Sequence, residues 1–143
     1  MNHEHVGQVA NVGRLPRVLV AVLVEHDGRL MIQSGSAEKR WSLPMGEPVH
    51  GVTWEATALA AVKRETDMDA QIVRGHLLSG PQVIEVMEPD HTLYLAVRAT
   101  VAEVDGCDLV NYTMLSHKTI REYAEAFDHA TLVIMRRFGW FYP

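Results

Sequence analysis

Runs of apolar residues along the chain predict an early β-hairpin followed by a helix and further strands. Residues 17–24, RVLVAVLV, are rich in Val and Leu, which favours a strand buried on both faces. Asp27-Gly28 is typical of a hairpin turn, and residues 29–35 predict the return strand. Three later stretches predict further strands, at residues 70–79, 82–87 and 91–104.

Helices are predicted in the middle and at the end of the chain. Residues 54–66, WEATALAAVKRET, are rich in Ala, Leu, Glu, Lys and Arg, which favour a helix. Thr53 is placed to N-cap this helix, and Asp67 sits where helices often end in a left-handed residue. Residues 112–127 predict a short turn and helix, followed by a terminal helix that stops near Gly139.

The order of these elements predicts the fold class. Two strands, a helix, several strands and a helical end favour the α+β class, as an α/β/α sandwich with a mixed central β-sheet. The 143 residues suit one domain, and the 48% of hydrophobic residues can fill one core. Residues 1–15 are polar and predict a flexible N-terminal arm, which leaves residues 16–143 as a single domain.

Composition narrows the functional classes. The net charge is -5, and the basic residues are scattered, which argues against a nucleic-acid binder. No apolar run is long enough to span a bilayer, and the N-terminus does not have the pattern of a secretory signal. Cys107 is the single cysteine, so we expect no internal disulfide and a cytoplasmic location. A small-molecule substrate is the expected partner.

Residues 43–68, LPMGEPVHGVTWEATALAAVKRETDM, resemble the Nudix box, G-x5-E-x7-R-E-U-x-E-E-x-G-U, where U is aliphatic. With Gly46 as the first glycine, Val62, Glu65 and Met68 also match the pattern. The preceding RWSLPMG resembles the W-x-L-P-G-G lead-in of the family. Five positions differ from the pattern: Val52 for the first Glu, Ala60 for Arg, Ala61 for Glu, Arg64 for the first Glu of the pair, and Asp67 for Gly.

The resemblance implies a Nudix fold, and in standard members the helix carboxylates bind Mg²⁺ beside a diphosphate. Here Ala61, Arg64 and Glu65 would face the metal, and only Glu65 can ligate it. Arg64 is always charged and would repel a cation, whereas its fork matches phosphate or carboxylate oxygens. We therefore expect no metal and no cofactor, with Arg64 as a ligand-binding residue. A plain solvated role for Arg64 and Glu65 stays open.

Four other residues complete the candidate site. Glu65 and His50 are the expected catalytic proton carriers, because a histidine of ordinary pKa near ~6.5 suits acid–base work at neutral pH. Gly46 and Trp41 are the expected ligand contacts beside Arg64. The alternatives are a plain surface histidine at 50 and a Trp41 that only packs at the base of the loop.

Three functions follow from these residues. The first is a repurposed Nudix-fold enzyme that acts by acid–base chemistry on a small polar or anionic metabolite, as an isomerase, lyase or cyclase in specialised biosynthesis. The second is a residual Mg²⁺-dependent hydrolase of nucleoside diphosphate-X compounds, in which Glu85, Glu88 or Asp108 helps Glu65. The third is a non-catalytic ligand-binding domain. The aromatic tail, FGWFYP, is a candidate homodimer contact.

Overall fold

The computed structural model describes residues 15–33, 39–74, 81–104 and 112–141. In chain order its elements are β1 (Arg17–His26), β2 (Arg29–Gln33), β3 (Met45–Gly46), α1 (Trp54–Thr66), β4 (Ala70–Ile72), β5 (Gln82–Val86), β6 (Thr92–Val101), β7 (Tyr112–Ser116), α2 (His117–Glu122), a 3-10 turn (Ala124–Ala126) and α3 (His129–Arg137). All of the expected N-terminal arm except Leu15 lies outside the described residues, as does Asp108. No described helix has the length and apolar character needed to cross a membrane.

The sheet is mixed and is built around two long strands. β1 and β6 run parallel, in register from Arg17 opposite Thr92 to Glu25 opposite Thr100. β2 and β3 pair antiparallel with the other edge of β1, and β4 and β5 pair antiparallel with the other edge of β6. β7 extends the sheet beyond β2. This arrangement confirms the predicted mixed central sheet.

Both faces of the sheet are covered by helices, which confirms the predicted α/β/α layers. Side chains of β1 alternate between two cores, as the pleat of a strand requires. Leu19, Ala21 and Leu23 pack in one core with Ile120 of α2 and Ile134 and Met135 of α3. Val20, Val22 and Val24 pack in the other core with Ala58 and Val62 of α1. The two-sided burial of β1 explains its unbroken apolar sequence.

Local signals in the sequence placed the hairpin and the first helix correctly. Asp27 and Gly28 have φ values of 53° and 75°, as a tight hairpin turn with two left-handed residues requires. The Thr53 side chain caps α1 by accepting a backbone hydrogen bond from its first turn. Asp67 ends α1 in the left-handed conformation, with φ 57° and ψ 16°. The predicted bounds 54–66 agree with α1.

One segment was predicted wrongly. Residues 112–116 form β7, whereas the sequence predicted a turn and helix from residue 112. All five residues of β7 pair antiparallel with β2, and Tyr112 and Leu115 are buried. The pairing joins segments about 80 positions apart, so no local signal could report it. Of the strand predicted at 70–79, β4 covers Ala70–Ile72; residues 73 and 74 are not in a strand, and residues 75–80 lie outside the described ranges.

Candidate functional site

The segment from Trp41 to Gly46 runs alongside β1 and ends in β3, which contacts the first helix. Ser42 and Gln33 exchange two backbone hydrogen bonds, at 2.7 and 3.2 Å. The backbone N–H of Val22 donates to the Pro44 carbonyl at 3.0 Å, and β3 then pairs with β1. These bonds fix the direction of the Met45 carbonyl, which lies beside the last turn of α1.

Gly46 permits a close approach between β3 and α1. A Cβ atom at this position would lie 3.3 Å from Cγ2 of Thr57 and 3.4 Å from Cβ of Ala61. Gly46 is buried, and Ala61 is only 1% exposed. Ala61 fills the contact between the helix and β3. The expectation that position 61 faces the metal site of a standard Nudix box stays a prediction. The small size of both residues explains how the two elements come so close.

Arg64 and Glu65 meet two further groups at the end of α1. The Arg64 Nη2 group donates to the Met45 carbonyl at 2.9 Å, and its Nε group donates to Oε1 of Glu65 at 3.3 Å. The other carboxylate oxygen of Glu65, Oε2, accepts a hydrogen bond from Nε2 of Gln33 at 3.2 Å. We call this set of Gln33, Met45, Arg64 and Glu65 the Arg64 corner.

The Arg64 corner places a positive charge beside the oxygen atoms that could hold a divalent cation. Its guanidinium already contacts the Met45 carbonyl and the Glu65 carboxylate, which are the oxygen groups a hard cation would require. At a separation of 4 Å, a positive charge costs between about 1 and 4 kcal/mol per unit of cation charge, depending on solvent screening. Within the described ranges, no group of three or more His, Cys, Asp or Glu side chains is placed to hold a metal ion.

Comparison with known proteins identifies the fold. No protein-family model matches the chain, and no curated protein matches it. A NUDIX hydrolase from Nitrosomonas europaea aligns with a TM-score of 0.66 at 15% identity, over 87% of this chain and 88% of the other. A MutT protein from Methanosarcina mazei Go1 aligns with a TM-score of 0.62 at 20% identity, over 86% and 93%. The C. elegans Ap4A hydrolase aligns with a TM-score of 0.63 at 11% identity, over 90% and 100%.

The chain has the Nudix fold. Three members of the Arg64 corner, Met45, Arg64 and Glu65, lie within residues 43–68, the stretch that resembles the Nudix box. TM-scores of 0.62 to 0.66 establish the shared architecture, and at identities of 11 to 20% the chemistry has to be argued from the side chains themselves.

His50 lies just before the start of α1, whereas Glu65 lies near its end. It occupies the exposed turn before α1, next to Gly51, whose φ is 84°. Glu65 is in the last turn of the helix, and 13 residues of α-helix extend about 20 Å. A joint role for His50 and Glu65 therefore requires a ligand that extends along α1. The predicted pairing of the two as proton carriers stays a prediction.

Trp41 packs at the base of the lead-in segment of the Nudix fold. Its ring meets Phe127 edge-on at 5.6 Å between centroids and Tyr123 at 5.9 Å in a tilted arrangement. Its backbone N–H donates to the Ala126 carbonyl, and its carbonyl accepts from Asp128. These contacts give Trp41 a structural role, since they join the lead-in to the start of α3. Its predicted ligand contact stays a prediction.

The extra carboxylates considered for a Nudix hydrolase have other surroundings in the structure. Oε2 of Glu85 lies 2.6 Å from Nε2 of His91, in an exposed pair at the β5–β6 hairpin. Glu88 lines a cavity of about 220 Å³ that also includes Asp128 and contains no member of the Arg64 corner. Asp108 lies outside the described residues. Among described residues, neither candidate therefore joins Glu65.

Sequence reasoning missed two members of the Arg64 corner, Gln33 and the Met45 carbonyl. Gln33 was seen only as part of the return strand, and a backbone carbonyl has no signature in a sequence. Both reach Arg64 and Glu65 because Gln33 bridges to Ser42 and β3 pairs with β1. These contacts depend on pairing between distant segments, so no residue pattern within the Nudix-like cassette could have revealed them.

Proposed function

We propose that this Nudix-fold protein acts on a small anionic metabolite without a metal cluster, with Arg64 binding the anion and Glu65 carrying a proton. One observation supports the proposal above all others. The Arg64 guanidinium is held between the Met45 carbonyl and the Glu65 carboxylate, so a fixed positive charge lies where the family's cations would be expected. His50 is the second proton carrier for ligands that extend along α1.

Arg64 is suited to an anion because its contacts leave part of the guanidinium free. Two of its nitrogens donate to Glu65 and Met45, while an arginine has five N–H donors in a planar fork. Its side chain is 60% exposed, so a ligand can reach it. Carboxylate and phosphate oxygens match this geometry. Gly46 and Trp41 complete the proposed ligand contacts from the lead-in segment.

Glu65 is suited to proton transfer because its carboxylate is held in place yet accessible. Gln33 and Arg64 each donate to one of its oxygens, and the side chain is 25% exposed. A carboxylate can accept a proton from a carbon or oxygen atom of the ligand when a neighbouring cation stabilises the negative charge that forms there. The reaction classes that need only these groups are isomerisation, elimination and cyclisation.

The test is a reaction screen without metal. A panel of small carboxylates and phosphate esters is incubated with the protein in D₂O and EDTA, and NMR follows deuterium incorporation and product formation. We expect turnover that Glu65→Gln abolishes and Arg64→Gln weakens. Lys63→Gln is the matched control, because Lys63 is an exposed cation next to Arg64 whose partners are Asp67 and Asp69. Turnover that requires Mg²⁺ and releases phosphate would contradict the proposal in favour of a residual hydrolase.

The same screen separates an enzyme from a binding domain. If a panel member binds saturably but is not changed, and Glu65→Gln leaves its affinity intact, the protein is a ligand-binding Nudix domain. Nothing among the described residues favours that function, or the residual hydrolase, over the metal-free enzyme. The hydrolase in particular needs a second carboxylate beside Glu65, and Glu85 and Glu88 have other neighbours.

A further inference from the structure

A cavity of about 370 Å³ lies under the C-terminal end of α3, on the opposite side of the sheet from α1. Its floor is formed by the β-strand residues Glu25, Gln82 and Arg98. Its wall is formed by residues 137–140, at and after the end of α3. We call this space the α3-end cavity. A volume of this size lies in the range of small-molecule sites, roughly 300–1,000 Å³.

On the floor of the cavity, two charged side chains continue rows that are otherwise apolar. Glu25 follows Leu19, Ala21 and Leu23 on one face of β1, and Arg98 follows Ala96 on the same face of β6. The Arg98 Nε group donates to Oε2 of Glu25 at 2.8 Å. The side chains are 35% and 25% exposed respectively, so both are held in the sheet yet accessible. Beyond this bond, the Arg98 guanidinium has no acceptor among the described residues.

The wall supplies a second cation and apolar surface. Arg137 is the last residue of α3; it is exposed, and its side chain has no hydrogen bond or ion pair with any described residue. Gly139, with φ 82°, turns the chain so that Trp140 returns to the cavity. The Trp140 ring is stacked on His117 at 4.1 Å, and its carbonyl lies 3.2 Å from Nδ1 of His117, which holds this wall in place.

The charges of the α3-end cavity favour a monoanion. Arg98 and Arg137 contribute two positive charges, and Glu25 contributes one negative charge, which leaves one positive charge in excess. The end of α3 adds only about half a negative charge through the helix dipole, so the excess stays positive. A carboxylate carries a single negative charge, which matches this excess, and its shape matches the planar fork of an arginine. A phosphate ester near its full charge carries more negative charge than this excess.

We infer that the α3-end cavity is a second ligand site, which binds a small monocarboxylate with a planar apolar body. Arg98 and Arg137 donate to the carboxylate, and the Gln82 amide completes its polar contacts. The apolar body lies against Phe138, and the buried Trp140 supports this wall from behind. No residue of the Arg64 corner lines this cavity, so the site is separate from the one proposed for catalysis and does not depend on it.

The test is a titration of the full chain with benzoate, followed by ¹H–¹⁵N NMR. We expect saturable shifts at the amides of Phe138, Gly139 and Trp140. Arg137→Gln should raise the dissociation constant of benzoate about tenfold, which is the usual effect of losing one charge-assisted hydrogen bond. Arg136→Gln is the matched control: it removes the same charge from the neighbouring position, where Arg136 lies 5.4 Å from the centre of the Phe141 ring. That variant should keep the affinity within about twofold.

Two related probes define the ligand class. Benzamide has the same ring without the charge and should cause no saturable shift at residues 138–140. Phenyl phosphate should bind more weakly than benzoate, and tighter binding would overturn the assignment to a monocarboxylate. The inference also fails if benzoate causes no saturable shift at these amides, or if Arg136→Gln and Arg137→Gln weaken benzoate binding equally. Arg137 is exposed at a helix end, so its variant should fold even if Arg98→Gln does not.

Discussion

The Arg64–Glu65 pair on α1 and the Arg98–Glu25 pair on the sheet differ in what surrounds the guanidinium. Both glutamates are 25% exposed. Arg64 is 60% exposed, lies 3.3 Å from its carboxylate and has the Met45 carbonyl as a second acceptor. Arg98 is 35% exposed, lies 2.8 Å from its carboxylate and has no second acceptor among the described residues.

This difference shows that the effect of an arginine–glutamate pair depends on the groups that surround it. At the Arg64 corner, the guanidinium donates to two oxygen groups, the Met45 carbonyl and the Glu65 carboxylate. At the α3-end cavity, the pair leaves most of a guanidinium facing open space beside a second arginine. Exposure also predicts a difference in stability, because exposed pairs contribute about 0–1 kcal/mol, whereas a part-buried charge that loses its partner costs more.

The largest effect should come from placing a carboxylate at position 61, where the Nudix box has a glutamate. We expect Ala61→Glu to lower the free energy of unfolding by about 3–5 kcal/mol, because a charge would be buried without a partner. Ala61 is 1% exposed and packs on Gly46. Urea denaturation measures the effect, and Ala60→Glu on the exposed side of α1 is the matched control, with a change within about 0.5 kcal/mol. Equal stability of the two variants would contradict the structure of this contact.

The burial of Ala61 also shows where sequence reasoning was limited. The bounds and caps of α1 followed from local composition, from Thr53 and from Asp67. The resemblance of residues 43–68 to a known cassette gave the fold. The orientation of α1 about its own axis depends on how closely Gly46 approaches it, which is a tertiary contact. The sequence alone therefore did not show that the side of the helix that carries Ala61 packs against β3.

The α3-end cavity was beyond sequence reasoning for a related reason. Glu25 and Arg98 lie 73 positions apart, and only the parallel register of β1 and β6 brings them together. The sequence placed Arg98 in a strand and Glu25 directly after one, but it did not show which strands are neighbours. The turn at Gly139 was expected, whereas the return of Trp140 to the sheet was not. Strands and turns are local properties, and sites between strands are not.

The second largest effect should come from Arg98. We expect Arg98→Gln to lower the free energy of unfolding by about 1–2 kcal/mol, because Glu25 is left part-buried with a weaker partner. Arg64→Gln should change it by less than about 0.5 kcal/mol, since that pair is exposed. Thermal and urea denaturation of both variants measure the two changes in the free energy of unfolding. If Arg64→Gln is the more destabilising change, the contrast between the two pairs is wrong.

A third experiment reverses the charge at the Arg64 corner. Arg64→Glu places a second carboxylate beside Glu65 and the Met45 carbonyl, which are oxygen groups that suit Mg²⁺. We expect Mg²⁺ at ten times its dissociation constant to stabilise this variant by about 1.4 kcal/mol and to leave the natural chain unchanged. Thermal unfolding with and without Mg²⁺ measures this. Lys63→Glu makes the same charge change one residue away and should show no gain; equal stabilisation of the natural chain would show that Arg64 does not block a cation.

The smallest effect on stability, and the sharpest on binding, should come from Arg64→Lys. The ammonium keeps the charge but replaces the fork with a single point of donation, so it cannot bridge Glu65 and the Met45 carbonyl while also binding an anion. We expect the free energy of unfolding to stay within about 0.5 kcal/mol of the natural chain, since the position is exposed. The affinity for an anion at the Arg64 corner, measured by NMR titration, should fall about tenfold. An unchanged affinity would mean that charge alone holds the ligand, and the bidentate geometry proposed for Arg64 would then be wrong.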